Sequence, residues 1–72
     1  MVTIYGCYVS GNYQAYVSTE GEAQQWVAAH GEEFQGSYLE GQYAPLEVPA
    51  ATAAALLREQ PCLGHTEAMA YA

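Results

Sequence analysis

Thr19-Glu20-Gly21-Glu22 specifies a helix start, and the rest of the chain must be laid out around it. Thr19 has the N-cap side chain, and Glu22 stands at the third helical position, the spacing of a capping box. Two glutamates in the first turn also suit the positive end of the helix dipole. Ala23, Trp26, Val27 and His30 follow at i, i+3, i+4 and i+7, one apolar stripe on a short helix, with Gln24, Gln25 and Ala28 facing away. Gly31 is a suitable stop.

The segment before this helix has room for two short strands. Val2 to Val9 is rich in β-branched and aromatic residues. Val2, Ile4 and Tyr8 share one face, and Thr3, Tyr5, Cys7 and Val9 the other. Ser10-Gly11-Asn12 is a turn cluster, after which Tyr13, Ala15 and Val17 alternate with Gln14 and Tyr16. Two such runs with a Gly/Asn link predict a β-hairpin. Past the helix, 32–36 reads as a loop with Phe34 tucked inward. Ser37 to Tyr43 reads as a third strand, weakened by Gly41 and ended before Pro45. Pro49 suits a helix start, and Ala50 to Gln60 favours helix, with Ala53, Leu56 and Leu57 inward and Pro61 ending the run. His65 to Tyr71 alternates in a way that suits a final strand.

The order predicts an α+β class: a small antiparallel sheet, made of the N-terminal hairpin plus one or two further strands, with two helices packed on one face. At 72 residues the chain makes a single domain, 1–72. A hydrophobic fraction of 51% argues against disorder. No apolar run approaches the roughly 20 residues needed to span a bilayer. Met1 to Val9 has no basic residue before its apolar run and does not read as a secretory signal, so the expected compartment is the cytoplasm. Cys7 and Cys62 are then expected as reduced thiols rather than a bridge.

Charge is the main functional clue. The chain has eight glutamates, no aspartate, no lysine and a single arginine, Arg58, for a formal net charge of -7. Self-repulsion at this level opposes compaction but steers charged partners. Six of the glutamates (Glu20, Glu22, Glu32, Glu33, Glu40 and Glu47) precede residue 48, whereas Glu59 adjoins Arg58. Crowding predicts carboxyls with raised pKa values, so that mild acid or added salt favours the fold. Carboxylates alone on a small rigid body approximate a row of DNA phosphates, which lie about 1.7 Å apart along the duplex axis with both strands counted.

Other chemistry has less behind it. Cys7 or Cys62 with His30 or His65 could form a thiolate pair, but Cys7 is mid-strand and His30 lies on an apolar stripe. Two Cys and two His are the right number for zinc, and Cys62-x-x-His65 has ligand-like spacing, yet Cys7 and His30 lack a second close pair. Neither catalysis nor a cofactor is expected. Seven tyrosines exceed what one small core holds with dry hydroxyls, which makes several of them candidate interface residues. Direct nucleic-acid binding needs a basic groove, which one arginine cannot supply.

In size, glutamate-only acidity, absent lysine and compact α/β pattern the chain resembles the phage-encoded anti-CRISPR proteins, especially those that mimic DNA. No diagnostic motif underlies this likeness. It implies a non-enzymatic inhibitor, acting in a bacterial host on a type I surveillance complex, with type I-C as the subtype. Such a protein blocks target-DNA entry by docking on a basic DNA-binding surface. The docking residues expected here are Glu20, Glu22, Glu32, Glu33, Glu40 and Glu47, with Tyr38 and Tyr43 as apolar anchors, on a monomer. The alternative is a small acidic interaction module, either an antitoxin-like partner of a basic toxin or a structural homodimer.

Overall fold

The computed structural model describes residues 1–9, 11–31 and 41–71, without the side chains of 30 and 31. In chain order the elements are β1 (Val2–Tyr8), β2 (Tyr13–Val17), α1 (Glu20–Gly31), β3 (Gln42–Val48), α2 (Ala50–Glu59) and α3 (His65–Met69). The three strands form an antiparallel sheet in the order β2-β1-β3. The class is therefore α+β, built on the expected N-terminal hairpin.

The hairpin forms where the alternation predicts it. Tyr5 faces Val17, Gly6 faces Tyr16 and Cys7 faces Ala15, with a register shift between Cys7 and Tyr8. Gly11 has φ 102°, the left-handed backbone that glycine adopts at least cost, so the turn falls on the Gly/Asn cluster. Helix α1 begins where the cap places it. The Glu22 amide donates to Thr19 Oγ1 at 3.2 Å, and the Ala23 amide donates to the Thr19 carbonyl at 3.1 Å. The Glu22 carboxylate accepts the Thr19 and Ser18 hydroxyls, each at 3.0 Å.

Being central, β1 is buried on both faces, with Ile4 3% and Cys7 0% exposed on opposite sides. The near-continuous apolar run Val2 to Val9 is the sequence mark of such a strand. One face carries Ile4, Tyr16, Leu46 and Val48, which form the core with Tyr13, with Ala53 and Leu56 of α2 and with Ala68 of α3. Helix α1 covers the other face. Gln24 and Glu20 reach the Tyr43 hydroxyl, and a Cβ on Gly41 would stand 3.7 Å from the Trp26 ring. Two helices do share one face, but they are α2 and α3. The pairing of α1 with α2 on a single face is corrected, because burial on both sides of β1 requires a cover for each.

Two boundaries are also corrected. The third strand spans Gln42–Val48 rather than 37–43, passing through Pro45, which faces Tyr5. A proline fits here because β3 is an edge strand, where its missing N–H points away from the ladder. Residues 37–40, like Phe34, lie outside the described set. The expected final strand is the helix α3, since Glu67, Ala68 and Met69 are good helix formers and Ala68 seats in the core. Just before it, outside the expected strand, Leu63 makes one antiparallel bridge with Tyr13.

Candidate protein-docking surface

Three of the six expected docking glutamates fall among the described residues, and they share a side of the molecule. Glu20 and Glu22 occupy the first turn of α1, both exposed. Glu47 is exposed on β3 opposite Thr3, and strand alternation puts it on the sheet face that α1 covers, with Tyr43 and Pro45. Glu32, Glu33, Glu40 and Tyr38 lie outside the described residues.

Tyr43 ties this side together. Its hydroxyl donates to Glu20 Oε2 at 3.3 Å and accepts from Gln24 Nε2 at 3.3 Å. Its ring meets Tyr5 edge-on, with centroids 6.0 Å apart. The expected anchor is half-buried, with its hydroxyl marking the position of Glu20. Four residue steps along the strand separate Tyr43 from Glu47, on the order of 13 Å. The two acids therefore bracket the α1 side of β3 instead of crowding one spot.

A second acidic group lies on the opposite side, at the ends of α2 and α3. Arg58 Nη2 donates to Glu59 Oε2 at 2.9 Å, the one ion pair among the described residues. The Tyr71 hydroxyl donates to the other oxygen of Glu59. These two donors, Tyr71 first and then Arg58, hold the Glu59 carboxyl below the ordinary glutamate value. The crowding expectation concerned the clustered glutamates, and Glu59, set apart beside Arg58, is not one of them. Glu67 is exposed on α3, near Gly64. The described carboxylates thus divide between two sides, and Arg58 is engaged on the side away from Glu20, Glu22 and Glu47.

The nucleophile and metal candidates are dispersed. Cys7 is buried beneath α1, and burial pushes its thiol up, whereas Cys62 is exposed; both are free. The Nδ1 of His65 is 2.7 Å from the Tyr13 hydroxyl. The side chain of His30 lies outside the described set. Among the described residues no group of three or more His, Cys or Glu side chains converges on a point. No helix there is long and apolar enough to cross a membrane.

Sequence reasoning missed two polar side chains that organise the second side. Tyr71 was placed on a strand face, and Gln60 was read only as a helix end. In comparisons with protein-family models, curated proteins and solved structures, nothing matches the chain.

Proposed function

We propose that the chain is a non-enzymatic inhibitor that presents Glu20, Glu22 and Glu47 to the basic DNA-binding surface of another protein. The partner in this reading is a type I CRISPR surveillance complex, of the I-C subtype, in the cytoplasm of a bacterial host. Docking there competes with target DNA. The observation that supports the reading is the segregation of charge. One side holds three exposed glutamates that no lysine or arginine reaches among the described residues, and Arg58 is paired with Glu59 on the other. Such a face attracts a Lys/Arg-lined channel at long range, which raises the association rate more than the final affinity. The Tyr43 hydroxyl holds the Glu20 carboxylate in place and so reduces the side-chain ordering that docking must impose.

The strand edges count against the homodimer alternative. Pro45 and Glu47 interrupt the β3 edge, and the β2 edge is engaged within the chain. An antitoxin-like role would use the same acidic side on a different basic partner.

The test is binding of purified protein to a type I surveillance complex, with DNA competition as a second readout. Neutralising Glu20, Glu22 and Glu47 together to glutamine is expected to slow association at least about tenfold at low salt, with a smaller effect at high salt. Association rates that do not change with salt, or a triple variant that competes as well as the parent, would refute the proposal. Binding to a basic toxin but to no surveillance complex would transfer the same surface to the antitoxin-like reading.

A further inference from the structure

Strand β2 is an edge strand whose own sequence does nothing to defend it. Its residues, Tyr-Gln-Ala-Tyr-Val, are uncharged and contain no proline. Natural edges of this kind normally carry a charge, a proline or a cover, because their open N–H and C=O groups otherwise template another strand. The β3 edge has both a proline and a charge. The β2 edge has a cover, and a side chain supplies its central part.

The Tyr16 amide donates to Gln60 Oε1 at 2.7 Å, and Gln60 Nε2 donates to the Tyr16 carbonyl at 2.9 Å. This reciprocal exchange is the pattern of a hydrogen-bonded pair in an antiparallel ladder, with the carboxamide standing in for the peptide group of a neighbouring strand. Around it, the Tyr13 amide donates to the Leu63 carbonyl at 2.7 Å, and the Tyr16 hydroxyl donates to the Pro61 carbonyl at 2.8 Å. The choice of residue is informative. Gln60 has φ 51° and ψ 50° just past α2, a left-handed position that glycine occupies with least strain. A glutamine there is explained by what its side chain does.

We infer that Gln60 is an edge plug, and that its removal frees β2 to pair with β2 of a second copy of this chain. The occupant is a second copy because this uncharged strand is self-complementary in an antiparallel pairing. It carries none of the charges that would repel its twin at the contact. The rest of the molecule does repel its twin, at a formal -7 for each chain, so salt should promote the pairing. This is opposite to its effect on the proposed docking of the acidic side, and the two ideas fail separately.

The test uses Gln60→Gly, which keeps the left-handed cap and its backbone bond to the Leu56 carbonyl and removes the whole side chain, with its bonds to Tyr16 and to the Leu57 carbonyl. Gln60→Asn also tolerates the left-handed backbone but is too short to reach Tyr16, and it serves as the second variant. Amide exchange at Tyr16 is expected to accelerate at least tenfold in dilute protein. Sedimentation is expected to show a concentration-dependent dimer, strengthened by salt, in which Tyr16 is protected again. The parent chain remains monomeric throughout. Unchanged Tyr16 exchange in both variants overturns the inference, and so does fast exchange in a protein that stays monomeric at every concentration. Gln60→Glu puts a charge on the edge and should stay monomeric; a dimer as strong as that of Gln60→Gly would also overturn the inference.

Discussion

Gly6→Ala tests the packing of the core more sharply than any large-to-small change. Gly6 is in the central strand, where glycine ordinarily weakens a sheet, and alanine should gain about 0.5–1 kcal/mol from backbone entropy. The structure sets a larger opposing effect. An added Cβ would lie 2.5 Å from Cδ1, 2.7 Å from Cε1 and 3.0 Å from Cγ of Tyr13, so the conflict reaches the root of the ring, not its flexible end. That ring has nowhere to go. Its backbone is bonded to Leu63, its hydroxyl meets His65, and its faces and edges contact Tyr8 at 5.6 Å and Tyr16 at 5.8 Å between centroids. Overpacking costs about 1–3 kcal/mol, and a contact as close as 2.5 Å belongs in the upper half of that range, so the net loss should be about 1–2 kcal/mol. A chain of this length has only about 4–11 kcal/mol in total. The melting temperature should fall by about 4–16 °C, and the urea midpoint by about 1 M, with an unchanged slope. In a Tyr13→Leu background the same substitution should be neutral or stabilising, because the obstructing ring is gone. An unchanged or higher midpoint for Gly6→Ala alone, or an equal loss in both backgrounds, would show that Tyr13 does not occupy the space a side chain at position 6 needs.

Other expectations follow from the titrating groups and thiols. Burial, reinforced by Cys62 and Tyr13, pushes the Tyr16 hydroxyl up to about 12. A raised folded value means stability is fully present below the unfolded value near 10 and falls as pH climbs from there towards about 12, by at most about 1.4 kcal/mol per pH unit for this group; chemical denaturation across that range checks it. Tyr71→Phe should bring the Glu59 carboxyl back up towards the ordinary glutamate value, as read by carbon-detected titration. A depressed folded value stabilises above the unfolded value and is lost as pH falls through the folded one, so the parent should lose more stability on acidification than Tyr71→Phe does. Cys62 should react with a thiol reagent in the native protein, whereas Cys7 should react only on unfolding; equal labelling of both would contradict the burial of Cys7 under α1.

Local patterns carried much of the architecture. The capping box at Thr19 located α1 to the residue, because a cap is decided within one turn of chain. The hairpin was legible from alternation and a glycine turn, and the run of apolar residues in β1 already held the sign of a strand covered twice. The proposed docking side was legible only in part. Charge balance identified Glu20, Glu22 and Glu47, but their grouping away from Glu59 depends on which face each element takes. The bonds of Tyr43 were not legible, since nothing near it in sequence announces Glu20 and Gln24 some twenty residues earlier.

By itself the sequence determined the class, the helix start, the hairpin and the absence of any lysine to offset the glutamates, all of which are properties of adjacent residues or of composition. Tertiary structure alone decided that α1 and α2 take opposite faces, that Pro45 falls within an edge strand and that the tail coils into α3 instead of extending. It alone brought Gln60 to Tyr16 and Tyr71 to Glu59. Each of these depends on which groups elsewhere in the chain need burial or a hydrogen-bond partner, and that demand exists only once the sheet has formed.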